Sequence, residues 1–237
     1  MAGRSFRPPW WAVLVVVALS GIMISLGVWQ LQRGAGKAEL AKRYAAASER
    51  PPRELTAGAW AEPGEIVRAS VRGHFDSNMQ MLLDNQSFDG KPGYRVWTPV
   101  KTPEGGIVIV DRGWVAANGD RTILPEISAP PQEVEVSGFW RALPVPGMRL
   151  DVNNCAGGPW PRIVQYPTPD ELRCLYGGWV ASGILLMDPD LPGGYVREWN
   201  SAPELSPAKH YGYAAQWFAF TATLIGIFIV VNLKRKS

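Results

Sequence analysis

Apolar and polar positions divide the chain into three parts. No formally charged residue occurs from Pro8 through Gln32, and none between Lys209 and Lys234. Each uncharged run is about 24 residues long, roughly 36 Å as α-helix, enough to cross a hydrocarbon core of about 30 Å. The pattern predicts one membrane helix over residues 10–32 and a second over 209–233, with residues 1–9 and 234–237 as short tails. Trp10, Trp11 and Trp29 bracket the first apolar run as interfacial anchors do. Ser206 followed by Pro207 reads as N-cap and first-turn residue, starting the second helix just outside the membrane. A cleaved signal peptide, the competing reading, has a shorter apolar region than this one.

Residues 33–208 change period. Residues 34–50, rich in alanine and charge with Glu39 and Arg43 at i,i+4, predict a helix stopped before Pro51-Pro52. Ile66–Phe75 then alternates, with Val67, Ala69, Val71 and Gly73 on one face and Arg68, Ser70, Arg72 and His74 on the other, as a half-exposed strand does. Further strands are expected over 79–84, 94–100, 107–115, 134–143, 162–166, 183–188 and 194–199, with a turn-rich stretch between the first two of these. One short helix interrupts them, because Thr168 and Glu171 stand in capping-box order before DELRCLYG. The expected architecture is two transmembrane helices flanking a mostly antiparallel β domain.

Charge sets the expected orientation. Arg4, Arg7 and the cluster Lys234-Arg235-Lys236 favour a cytoplasmic location for both tails, and a long central domain translocates largely regardless of its own charge. The short leader favours a bacterial plasma membrane, with the β domain in the periplasm. Net charge of +3 and the absence of basic runs interleaved with aromatics argue against a nucleic-acid partner. Eleven tryptophans suit a protein in contact with membrane lipid. Cys155 and Cys174 lack metal-ligand spacing; spacing leaves open whether they form a disulfide, which would close a loop of about 20 residues.

Enzyme signatures are absent. The chain has no G-x-S-x-G and no H-E-x-x-H, and its glycine pairs do not open a helix after a strand, which leaves no nucleotide loop. His74 belongs to the polar side of its strand, where a solvated histidine is expected. Asp111-Arg112 reads better as a sheet ion pair than as a catalytic pair. What remains is a polar and aromatic constellation at the membrane. Trp29, Gln30 and Arg33 close the first apolar run; His210 opens the second, followed at helical spacing by Tyr213 and Trp217. Antiparallel spans place these ends side by side. Ionisable groups at such a depth usually face a partner or ligand. Neutral imidazole ligates haem iron, aromatics pack on porphyrin, and Arg33 and Lys209 suit propionates. An interfacial aromatic belt with cations reaching headgroups fits the same residues.

Several segments, in order, resemble the surfeit locus protein one (Surf-one) family of cytochrome c oxidase assembly factors. They are Gly27-Val28-Trp29-Gln30 with Arg33; Gly73-His74-Phe75; Asn85 with Gly90; Gly93-Tyr94-Arg95-Val96-Trp97-Thr98-Pro99; Val110-Asp111-Arg112-Gly113-Trp114-Val115; and His210-Tyr211-Gly212-Tyr213-Ala214 with Gln216-Trp217-Phe218. Gly36 stands before Lys37 where the family often has an aromatic residue, and residues 153–192 match nothing diagnostic. The resemblance implies a non-enzymatic, two-span inner-membrane protein that matures oxidase subunit I. It further implies binding of haem a received from a haem A synthase, with His210 as iron ligand and the second ligand open. A haem-free scaffold steadying the nascent subunit is the alternative.

Overall fold

The computed structural model describes residues 4–56, 58–145, 154–155, 157–199 and 206–235; Lys236 of the basic tail lies outside them. In chain order the elements are β1 (Arg4–Phe6), α1 (Trp10–Ser48), β2 (Arg53–Glu54), β3 (Ile66–Phe75), β4 (Met81–Phe88), β5 (Lys91–Lys101), β6 (Ile107–Ala116), β7 (Glu133–Ala142), β8 (Arg162–Val164), α2 (Pro169–Tyr176), β9 (Gly183–Met187), α3 (Pro207–Asn232) and β10 (Leu233–Arg235). They form two compact units, one from the two ends of the chain (to Arg43 and from residue 200) and one from Tyr44–Trp199.

In the unit formed by the ends, α1 and α3 each contain a window that is apolar all round. Only 11% of the most apolar window of each is buried, so neither is the core helix of a soluble domain. Both are long enough to cross a membrane. The pair is antiparallel, since β1 pairs with β10 at one end and Phe6 packs edge-on against Phe228 at 5.8 Å. Ser206 caps α3 through Lys209 N, with Pro207 in the first turn, as its sequence predicts. The helix expected over 34–50 is present and ends before Pro51-Pro52; it continues α1, which runs unbroken through Gly34 and Gly36 to Ser48. A mid-helix glycine costs only about 1 kcal/mol, which the alanine-rich flanks offset.

The second unit is an eight-stranded sheet in the order β2-β3-β7-β9-β6-β5-β4-β8. β3 also pairs with β5 through His74↔Lys101 and Phe75↔Val100, so the strands β3-β7-β9-β6-β5 close on themselves as a small barrel. Most pairs are antiparallel, but β2–β3, β4–β8 and β6–β9 are parallel, making the sheet mixed. A parallel pair needs a long crossover, and here irregular connections and intervening strands supply it more than helices do.

Alternation along the central strands builds two cores at once. On β6, Val108 and Val110 join the barrel interior with Ala69, Val71, Val136 and Trp140, while Ile107 and Ile109 join a second layer with Met81, Trp97 and Leu172 of α2. β9 does the same, Leu185 facing inward and Ile184 and Leu186 outward. Each such side chain contributes about 1.5–3 kcal/mol on burial. Gly138 lets β7 approach β9 closely: a Cβ there would sit 1.9 Å from the Leu186 carbonyl oxygen.

Details depart from the sequence pattern where turn chemistry intervenes. The stretch expected as loop after residue 84 continues as strand to Phe88, and Asp89-Gly90, both at positive φ (48° and 71°), turn the chain directly into β5. Residues 194–199 form no strand, only a bridge between Trp114 and Val196. α2 starts with the expected capping box, Thr168 Oγ1 accepting from Glu171 N while the Glu171 carboxylate accepts from Thr168 N at 2.7 Å. Cys155 and Cys174 form a disulfide, with a Cα–Cα distance of 5.9 Å, tying α2 to the segment before β8.

Candidate functional site in the terminal helix pair

The seam between α1 and α3 is built mainly of small and polar residues. On α1, Ser20, Gly27 and Gly34 are buried with Met23 and Gln30 partly so; on α3, His210, Ala214 and Thr221 are buried, with Trp217 and Leu224 partly so. The alternating three- and four-residue steps are those of two helices meshing along a narrow stripe. Glycines at 27 and 34 provide the close approach. A Cβ on Gly27 would lie 2.6 Å from the Phe218 ring, and one on Gly34 would lie 2.6 Å from the Tyr211 ring. Small residues that admit a neighbour in this way are the usual interface of helices in lipid, where no hydrophobic force holds helix to helix.

His210 and Gln30 face each other in this seam. His210 is only 5% exposed, and its Nδ1 lies 2.7 Å from Gln30 Oε1. The pairing assigns the tautomer: Nδ1–H donates to the amide oxygen, leaving the lone pair on Nε2. The reverse arrangement would bury an unpaired ring N–H instead. Nε2 is itself buried without a hydrogen-bond partner. A neutral imidazole with one nitrogen oriented by an oxygen acceptor and a free lone pair on the other is the donor set that haem iron takes. The chemistry fits; because Nε2 is buried, loading an iron requires that it be uncovered.

The other expected residues stand around this pair without joining it. Trp29 is 48% exposed on α1, and the Arg33 guanidinium lies over its ring at 5.6 Å from the centroid. Tyr213 is 43% exposed on α3. Trp217 is half-buried and packs edge-on against Phe220 at 6.1 Å. Gly27 and Ala214 figure in the sequence only as part of the family-like segments, and Gly34 in none of them, although the seven-residue interval between the two glycines is a signal of helix packing.

In the other unit, the ion pair expected within Asp111-Arg112 does not form. Adjacent strand residues point to opposite faces. Asp111, 2% exposed, accepts instead from Arg95 Nε at 2.7 Å, Trp97 Nε1 at 3.0 Å and Gly113 N at 3.0 Å. Burial pushes its carboxyl above the ordinary range, against the pull of Arg95. Arg112, 1% exposed, binds Gly193 O, Gln80 and Thr98 between the rings of Phe75 and Tyr195, and burial lowers its pKa. These groups tie strands and loop together; none of the contacts has the geometry of a nucleophile beside its base. His74 is exposed, as its strand face predicts. Among the described residues no cluster of three or more His, Cys, Asp or Glu could hold a metal ion.

Comparison with known proteins covers the helix seam as well as the β unit. An uncharacterised SURF1-like protein of Mycobacterium bovis is 25% identical over 227 residues, covering 90% of this chain and 80% of its own. A SURF1-like protein of Rickettsia felis is 27% identical over 225 residues, covering 92% and 95%. One from Dictyostelium discoideum is 29% identical over 106 residues, covering 40% and 39%. The SURF1 family model matches residues 17–222, a span that takes in the α1 face of the seam from Ser20 to Gly34 and the α3 face from His210 to Thr221. The chain belongs to the SURF1 family.

Proposed function

We propose that this protein is a cytochrome c oxidase assembly factor that acts on subunit I by holding haem a, received from a haem A synthase, at the seam between α1 and α3. The SURF1 family is a family of oxidase assembly factors and not of enzymes, and the two apolar helices associate the chain with a membrane. The observation that carries the cargo reading is His210, with Nδ1 held by Gln30 and Nε2 buried and unpaired. His210 would supply an axial nitrogen and Gln30 would orient it. Trp29, Tyr213 and Trp217 offer aromatic faces to a porphyrin, and Arg33 a cation to its propionates. Haem a is cargo here, supplying redox chemistry only after transfer to the oxidase.

The disulfide favours placing the β unit in an oxidising compartment, the periplasm of a bacterial cell, with both termini cytoplasmic and the helices in the inner membrane. Lys234 and Arg235 after α3, and Arg4 and Arg7 before α1, agree with that orientation. The burial of Nε2 supports a second reading, a haem-free scaffold in which His210 serves only to pair the helices.

Expression in a host that makes haem A separates the two. The cargo reading expects haem a to copurify with the wild-type protein and to be lost from His210→Ala. Haem a retained by the variant with an unchanged optical spectrum sinks His210 as ligand. In a deletion strain, subunit I that is present but lacks haem supports delivery, whereas unstable subunit I with normal haem loading supports the scaffold.

A further inference from the structure

The β unit holds a cavity that the haem reading does not use. It measures about 250 Å³ and lies between the end of β7, the loop before β3 and the start of α2. Its wall is almost all carbon: Trp60, Leu143, and four prolines, Pro63, Pro144, Pro167 and Pro169. We propose that this cavity binds a single uncharged hydrocarbon chain, acyl or isoprenoid, from a lipid-like molecule.

Three observations identify the occupant by its chemistry. First, the hydroxyls in the wall are already engaged. Ser182 Oγ accepts from Ala61 N at 3.1 Å and reaches Ala59 O; Thr168 is engaged in the α2 capping box; and Tyr166 accepts from Gln86 at 3.4 Å. A ligand rich in donors or acceptors would find few open partners in a wall that is almost all carbon, and each unpaired group would carry a desolvation cost. Second, the prolines have no N–H to offer, so an extended peptide cannot add here as a strand. Third, the walls are preformed. Proline fixes φ at four positions, and Tyr166 is held at φ 44°, a strained setting for a residue with a side chain. A preformed, carbon-lined hollow suits a chain of methylenes or methyl-branched units. The two membrane-length helices put the protein where such chains are plentiful.

Photolabelling of the full chain in lipid nanodiscs tests the proposal. The probes are a diazirine-bearing hexadecanol and a diazirine-bearing farnesol, both uncharged, with adducts located by mass spectrometry. We expect adducts on the peptides containing Trp60–Pro63 and Tyr166–Pro169 as well as on α1 and α3. The helices are an internal standard, because lipid labels them whatever happens in the cavity. Val145→Asp puts a charge at the wall on a residue that is 89% exposed, so folding is spared. It should lower the ratio of cavity to helix adducts at least tenfold, and Trp60→Ala should lower it as well. Stronger labelling by hexadecanol assigns an acyl chain and stronger labelling by farnesol an isoprenoid. Adducts confined to the helices, or a ratio unmoved by Val145→Asp, overturn the proposal. Neither result bears on haem copurification, so the two hypotheses fail separately.

Discussion

Replacing Gln30 with leucine removes the hydrogen bond that orients the His210 ring while leaving the helix seam filled. The bond is 2.7 Å long, joins two helices and holds a residue that is only 5% exposed. Interhelical hydrogen bonds in lipid are worth less than burial suggests, so loss of this one should weaken helix pairing about threefold, and at most roughly eighteenfold. Loss of an orienting partner behind a metal-binding histidine has a larger effect, about 10- to 100-fold in affinity. The two magnitudes separate structure from function. In a host that makes haem A, Gln30→Leu should fold and insert, keep a histidine-ligated spectrum, and retain about a tenth or less of the wild-type haem. A double-mutant cycle of Gln30→Leu with His210→Leu, read by thermal unfolding in bicelles, should show a coupling within the threefold to eighteenfold range. Full haem retention by Gln30→Leu, or strictly additive unfolding, would refute the assignment of Gln30 as the orienting partner.

Two further predictions concern the β unit. Replacing Cys155 and Cys174 with serine opens a loop whose ends are 19 residues apart, and should cost about 3 kcal/mol in chemical unfolding, with the wild type falling to the same midpoint under reductant. Asp188 is gripped by Arg68 through two bonds of 2.6 and 2.7 Å and by Ser137; burial pushes its carboxyl up, but these contacts win and hold it below the ordinary range. A depressed carboxyl stabilises the fold fully above its unfolded value of about 3.9 and loses that effect as pH falls through the folded value. Asp188→Asn should therefore cost about 1–2 kcal/mol near neutrality, and the gap to the wild type in urea titrations should close below about pH 4.

Local signals were legible in the sequence and long-range ones were not. β3 spans Ile66–Phe75 as its alternation predicts, and Thr168 and Ser206 cap the helices their side chains announce, because each of these features is decided within a few residues. Closure of the barrel through Phe75↔Val100 is decided by twist and by packing between segments 25 residues apart, which no local pattern encodes. That Asp111 and Arg112 point to opposite faces is local alternation, but that Asp111 meets Arg95 is not: a register shift between Arg95 and Trp97 sets which β5 side chain reaches it. At the membrane, periodicity from His210 pointed along Tyr213 and Trp217; Trp217 lies on the face that packs, together with Ala214 and Thr221, whereas Tyr213 is exposed. Aromatic residues stand out in a composition, whereas glycine and alanine, which let helices touch, do not.

The placement of His210 in a packing seam has a thermodynamic consequence. Nε2 is buried while α1 and α3 are meshed, so under the cargo reading binding at Nε2 and close pairing of the helices oppose each other. Coupling of that kind is reciprocal: if binding opens the pair, loosening its packing without touching the His210–Gln30 bond favours binding. Tyr211 is the contact to use, since its ring lies over Gly34 and not in the His210–Gln30 bond. Tyr211→Ala leaves the histidine and its partner intact while removing packing beside them. Cargo binding then predicts more haem a retained per protein than in the wild type, together with a lower unfolding temperature. A pure scaffold predicts the lower unfolding temperature alone, with less subunit I accumulating in cells. Haem retention that falls in parallel with unfolding temperature would show that the closed seam is itself the binding form, and that the burial of Nε2 does not oppose loading.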